Sequence, residues 1–319
     1  MILIERQPSP EGDTRHAIAI FGVGLVGAAV LQAILRHGPA QPTELPLNWT
    51  DRGQRAAELA AVADALGRLN SVETLDILWA AGKAGFAADR AQLGSEVEAF
   101  GDILQWARAM RHRCPGRALH LHVVSSAGGL FEGQRFVDGA STPQPCRAYG
   151  EAKLEQEQLA GHLRSEMSVQ IYRPSSIYGF TGIHGRFGLV NALIANAKRH
   201  ATTRIFGGLD TVRDYVLATD VGDFIARRII GLETSSRTFL LASGKPASVS
   251  QIARIASKVI GAPLYLSLDP LPSNASPITF RPSALPEDWR PTDLETGIRL
   301  VMLQLSSSFE SGRNARLRQ

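Results

Sequence analysis

Ala17-Ile18-Ala19-Ile20-Phe21-Gly22-Val23-Gly24-Leu25-Val26-Gly27 is a short apolar run closed by three glycines, and the helical pattern of residues 28–36 follows it. An uninterrupted apolar run of this length suits a strand buried on both faces of a parallel sheet. Strand, glycine turn and helix in that order form a phosphate cradle. The first glycine makes the tight turn and the second lets backbone approach a pyrophosphate. The third packs helix on strand, with the helix N-terminus facing the phosphates. Gly22, Gly24, Leu25, Val26 and Gly27 are therefore expected to hold a dinucleotide.

Working outward, residues 45–49 are expected to form the second strand, although Pro46 sits badly there. The strand would end at Asp51, whose carboxylate would accept hydrogen bonds from the adenosine ribose and favour NAD. Arg52 or Arg55 would instead favour the phosphate of NADP. The reading leans to NAD and leaves NADP open. Residues 55–69 read as a helix. Residues 75–82 read as a strand with a small-residue exit, Ala80-Ala81-Gly82, that lets backbone pass close to the cofactor. Residues 95–113 form an amphipathic helix with Val97, Phe100, Ile103, Leu104 and Ala107 on one stripe. The strand 120–124 then runs into Ser125-Ser126-Ala127-Gly128-Gly129. His120 and His122 share one face of that strand and read as structural or edge residues, with no metal expected.

A helix from 149 to 165 and a strand at 169–173 lead into Pro174-Ser175-Ser176-Ile177-Tyr178-Gly179. This alternation predicts an α/β fold with a doubly wound parallel sheet, a Rossmann domain, over residues 16–179. After Gly179 the texture changes. Helices are expected at 188–200, 219–232, 248–260 and 294–305, and a strand at 239–242, around turn-rich and proline-rich stretches. The expectation is a smaller mixed α/β substrate-binding domain over 180–319, with 212–243 returning to the first domain.

Composition narrows the classes. The chain has 319 residues, 44% of them hydrophobic and 20% charged, which is enough for a large core without disulfides. Net charge is +4, and part of it lies in Arg313, Arg316 and Arg318, read as a short basic tail. This pattern argues against a nucleic-acid partner. Residues 1–15 read as a loose leader without the apolar core of a signal peptide, and no run is long enough to span a membrane. Two cysteines, Cys114 and Cys146, show no metal spacing. A cytoplasmic protein is expected.

Chemistry concentrates in Tyr149-Gly150-Glu151-Ala152-Lys153. A tyrosine and a lysine four apart share one helix face. A neighbouring ammonium favours the phenolate, so such a tyrosine can exchange a proton with a substrate hydroxyl at neutral pH.

These segments resemble the extended short-chain dehydrogenase/reductase family, in its NAD-dependent epimerase/dehydratase group. The order of matches runs from the glycine turn through Val123-Val124-Ser125-Ser126 and the Tyr149–Lys153 stretch to Arg173-Pro174-Ser175-Ser176-Ile177-Tyr178-Gly179. Arg213-Asp214-Tyr215-Val216, the stretch 239–252 and Asp288-Trp289-Arg290-Pro291 complete it. The resemblance implies that Lys153 binds the nicotinamide ribose and lowers the pKa of Tyr149. Tyr149 would take a proton from a sugar hydroxyl. Ser126, with Ser125 in reserve, would hydrogen-bond the developing carbonyl oxygen. Pro174 and Ser176 would border the cofactor. Arg213 would grip the diphosphate of a nucleotide-sugar, against the alternative of an ion pair with Asp214, Asp220 or Asp223. A homodimer through the helices beginning at Ser95 and Tyr149 is also implied.

The chain departs from the family at three places. Its first two glycines are two apart rather than three, Glu96 stands where an asparagine is usual, and Ala127 occupies the usual position of the catalytic hydroxyl. Gly128-Gly129 replaces the Asp-Glu pair of 4,6-dehydratases, which argues against dehydration. The expected function is an NAD(P)-dependent epimerase or oxidoreductase of a nucleotide-sugar, in sugar or cell-surface polysaccharide metabolism. A reductase of a non-sugar carbonyl and a non-catalytic cofactor sensor are the alternatives. Residues 84–94, 130–146 and 180–190 would set substrate choice.

Overall fold

The computed structural model describes residues 1–6, 15–68, 72–82, 89–180, 188–269 and 276–316. The chain forms two compact units. The first is Met1–Leu130, Pro143–Arg173 and Gly222–Phe239, and the second is Phe131–Thr142, Pro174–Val221 and Leu240–Gln319.

The first unit begins with β1 (Ile2–Arg6), β2 (Arg15–Phe21), α1 (Leu25–Arg36), β3 (Ala40–Glu44), α2 (Arg52–Arg68) and β4 (Val72–Trp79). It continues with α3 (Arg90–Arg113), β5 (Ala118–Val124), α4 (Ala127–Leu130), α5 (Ala148–Gly161) and β6 (Ser168–Pro174). The seven-stranded sheet has the order β11-β6-β5-β4-β2-β1-β3, where β11 is Arg237–Leu241. From β2 through β4 and β5 to β6 the strands are parallel, each parallel pair being joined through helices, as the alternating pattern requires.

Two expectations fail at the other side of the sheet. Residues 1–6 are not a loose leader. β1 is an interior strand, antiparallel to both β2 and β3, with Ile4 fully buried. The apolar run Met1-Ile2-Leu3-Ile4 drives this, and the charged, proline-bearing residues after it obscured the signal; residues 7–14 lie outside the described part. The second failure is the strand at 45–49. The strand is β3, which starts five residues earlier, and Pro42 is tolerated because β3 is the sheet edge. Pro46 falls after its end.

One face of the sheet presents Ala19, Phe21, Ile77, Trp79, Leu121 and Val123 to α2 and α3, in a single core cluster. Residues of opposite parity point to the other face. There α1 meets α7 (Ala218–Ile230) through Gly222, where a Cβ would lie 2.7 Å from that of Ala29. That face also holds a buried polar network. Asp76 places its two carboxylate oxygens 2.5 Å from His16 Nε2 and 2.6 Å from His122 Nε2. His122 Nδ1 lies 2.9 Å from the Tyr172 hydroxyl, which donates to Gln170 Oε1 at 2.7 Å. His120 and His122 are thus buried in an interior strand, not at an edge. The carboxylate that the sequence reading missed is Asp76, on the neighbouring strand.

The second unit pairs β7 (Ser176–Tyr178) with β10 (Tyr215–Leu217), β8 (Thr203–Phe206) with β13 (Leu266–Asp269) and β9 (Val212–Arg213) with β12 (Ala247–Ser248). Helices α6 (Leu189–Lys198), α8 (Val249–Ile260) and α9 (Leu294–Arg316) close its core around Leu193, Ile194, Ile252, Ile298 and Val301. Ser248 and Gln251 form a reciprocal capping box on α8. The last helix runs on to Arg316, so Arg313 and Arg316 belong to α9 rather than to a loose tail.

Candidate active site

The glycine turn has the stereochemistry a diphosphate needs. Gly22 has φ +94°, and a Cβ there would lie 2.3 Å from the Ala81 backbone. A Cβ on Gly27 would lie 1.9 Å from the Gly22 carbonyl oxygen. Gly24 has open space where its side chain would be, and it starts α1 with no side-chain cap and no acidic residue in the first turn. The first N–H groups of α1 are therefore left for a ligand, at the positive end of the helix dipole. Residues 22–24 and 80–82 border a cavity of about 800 Å³. Leu25 and Val26 carry the helix away from it; Val26 is buried.

The far wall of the cavity differs from expectation. It is made by Trp49, Thr50, Trp79, Gln92, Ser95 and Glu96. Asp51 does not line it. Its Oδ1 accepts the Gln54 N–H at 2.8 Å and caps α2. Arg52 pairs with Asp102 at 3.1 Å, and the buried Arg55 pairs with the same carboxylate at 2.6 Å while donating to the Trp49 carbonyl at 3.1 Å. Asp51 thus serves the start of α2, and Arg52 and Arg55 tie the 48–55 corner to α3. The sequence hint was present, since Asn48 also opens an Asx turn by accepting from the N–H groups of Thr50 and Asp51.

Tyr149 and Lys153 lie one turn apart on α5. The Tyr149 ring rests on Gly129, where a Cβ would come within 3.0 Å of two ring carbons. Gly150 lies so close to the Gly129 carbonyl that a Cβ would approach it to 2.1 Å. Paired glycines thus let α5 and α4 touch by backbone. Ser126 Oγ accepts the Gly129 N–H at 3.1 Å, so Gly129 is the common neighbour of the tyrosine and the serine. The Ser125 hydroxyl is buried and has no hydrogen-bond partner among the described residues. Lys153 is buried, and its ammonium donates to Gln156 Oε1 at 3.0 Å and the Val124 carbonyl at 3.4 Å. Burial pulls its pKa down to about 8, against Glu96 and Glu157, whose carboxylates hold it up.

The sequence matches the NAD dependent epimerase/dehydratase family over residues 18–230. The chain belongs to this family. A dTDP-L-rhamnose 4-epimerase from Burkholderia thailandensis is 28% identical over 131 residues, which cover 38% of this chain and 34% of that protein, about a third of its length. Among solved structures, the UDP-glucose 4-epimerase of Thermotoga maritima, bound to UDP-glucose, covers 92% of this chain and 99% of its own, at a TM-score of 0.70 and 17% identity. The UDP-glucuronic acid 4-epimerase of Bacillus cereus, bound to UDP-glucuronic acid and NAD, covers 91% and 99%, at 0.67 and 17%. At such identities the likeness is one of fold.

Within this epimerase/dehydratase chain, the remaining expected site residues lie in the second unit. Arg213 Nη2 is 3.6 Å from Glu132 Oε1. Asp214 is occupied otherwise: its oxygens accept the hydroxyls of Ser175 and Ser243 at 2.7 and 2.8 Å. Pro174 ends β6, and the Ser176 N–H donates to the Asp214 carbonyl at 3.0 Å. Glu96 borders the cavity of the first unit, with Oε2 at 3.4 Å from where a Cβ on Gly82 would stand. Residues 84–88 and 181–187, within the loops expected to choose substrate, lie outside the described part. No group of three or more His, Cys, Asp or Glu poised for a metal, and no helix long and apolar enough to cross a membrane, occurs among the described residues.

Proposed function

We propose that this chain is an NAD(P)-dependent epimerase or oxidoreductase acting on a nucleotide-sugar, with Tyr149 as its acid/base. The observation that carries the reading is the buried Lys153 ammonium one turn from Tyr149, on a helix seated by Gly129 beside Ser126. Residues 22–24 and 80–82 hold the cofactor, which when bound supplies a reversible hydride acceptor. Lys153 favours the Tyr149 phenolate by its charge, and the phenolate takes the proton from a sugar hydroxyl. Ser126 Oγ keeps accepting the Gly129 N–H and donates its own proton to the oxygen that gains carbonyl character, with Ser125 as the reserve donor.

A nucleotide-sugar is favoured because the relatives act on dTDP- and UDP-linked sugars, and because Arg213 offers a planar donor fork suited to a diphosphate. That grip requires exchange of Glu132 for phosphate oxygens. NAD is favoured over NADP because no basic side chain lines the described cavity and Arg52 and Arg55 are held by Asp102. A cytoplasmic homodimer is part of the reading. The apolar stripe of α3 is spent inside the protomer, so a mate would meet polar outer rows of α3 and α5; a 34 kDa particle in light scattering removes the dimer.

The test is incubation with NAD and a panel of UDP-, dTDP- and GDP-sugars, read by NMR. One sugar is expected to exchange configuration or oxidation state. Arg213→Ala is expected to weaken binding of that sugar nucleotide and leave cofactor affinity unchanged. No turnover across the panel, with NAD bound, overturns the substrate class.

A further inference from the structure

We propose that Trp79 reads the purine of the adenine dinucleotide, its indole N–H donating to a ring nitrogen of the base. The proposal deepens the cofactor assignment and rests on it. Trp79 closes β4, is 1% exposed and lines the cavity beside the glycine turn. Its Nε1–H is buried with no hydrogen-bond partner among the described residues. The other two deeply buried indoles set the contrast. Trp106 donates to the Leu59 carbonyl at 2.9 Å and Trp289 to the Ala242 carbonyl at 2.7 Å. A buried N–H is seldom left unmade, and an indole can only donate.

The ring is held by neighbours that would keep such a donor aimed. Phe100 lies 4.9 Å away, centroid to centroid, and Trp49 meets it edge-on at 6.0 Å. Arg55 fixes Trp49 in turn through its carbonyl. The missing partner is therefore an acceptor that arrives with a flat apolar body. The diphosphate does not fit that description. It belongs at the N-terminus of α1, and α1 contributes nothing to the core cluster that contains Trp79. A purine fits, because its ring nitrogens are acceptors set in an aromatic plane. The residues expected to read the adenosine end, Asp51, Arg52 and Arg55, are all engaged elsewhere, so a directional contact at this end falls to Trp79.

The experiment titrates ADP-ribose and its 1-, 3- and 7-deaza-adenine analogues calorimetrically into the wild-type protein and into Trp79→Phe, with a thermal melt of each. One analogue is expected to bind wild type about tenfold more weakly than ADP-ribose, the effect of one hydrogen bond. Trp79→Phe is expected to lose about the same factor for ADP-ribose and to stop discriminating that analogue. Equal affinity of wild type for all four ligands overturns the proposal, and that arm stands even if the variant fails to fold. A folded Trp79→Phe with unchanged ADP-ribose affinity overturns it too. Wild type that binds no ADP-ribose at all overturns the dinucleotide reading beneath it.

Discussion

A single buried ammonium sits one turn from Tyr149 on α5. Lys153 would ordinarily titrate at 10.5, and burial brings it to about 8. Between those values the unfolded chain holds a proton that the native protein has released. Native stability therefore rises with pH across that window, and below pH 8 the full cost of the buried charge is present. Lys153→Met should raise the melting temperature at pH 7, remove this rise between pH 8 and 10.5, and cut turnover at least ~100-fold. A variant that melts several degrees lower would make Lys153 a structural tie through Val124 and Gln156. Tyr149→Phe is the complementary change. It removes only the transferable proton, so cofactor affinity should persist while turnover falls at least ~100-fold; near-normal turnover would remove Tyr149 from the chemistry. Both residues were legible because a four-residue spacing fixes one helix face whatever surrounds it. Trp79 was not, because a tryptophan ending an apolar strand reads as core, and only the missing acceptor sets it apart.

Helices α4 and α5 position the tyrosine by backbone contact, and this is where a small addition should matter most. Gly129→Ala adds one methyl group 3.0 Å from the Tyr149 ring, tighter than an ordinary van der Waals contact. The ring must move while the core below it stays, so turnover should fall tenfold or more with the melting temperature within a few degrees of wild type. A displacement of about 1 Å in a reacting group can cost ~100-fold. Equal turnover in a kinetic assay would show that Tyr149 tolerates the shift. The same element scale explains what the sequence hid. The parallel strands, α3 and α8 followed from their apolar patterns. β1 and β3 did not, since an edge strand with Pro42 carries little apolar pattern and β1 is only five residues long. Asp51 misled because a carboxylate before a helix serves as a cap as readily as a ribose ligand.

Across the whole first unit, acid resistance should track the Asp76 network. Burial alone would raise the Asp76 pKa, but hydrogen bonds from His122 and His16 override it and hold the carboxyl at about 2, below its ordinary 3.8. Its stabilising effect is complete above 3.8 and is lost as pH falls through about 2. Asp76→Asn breaks a buried pairing and should cost about 3–5 kcal/mol in urea denaturation at pH 7; a cost below ~1 kcal/mol would mean the histidines find other acceptors. The antiparallel placement of β1 against β2 has a kinetic corollary. Every other neighbour of the central strands must wait for an intervening helix to double back, whereas these two can zip as a hairpin within roughly 1–10 μs. In pulse-labelled refolding, amides of Ala17 to Ile20 should gain protection before those of β5 and β6. The extra strand would then be the seed on which the slower, sequence-distant layers of the sheet condense.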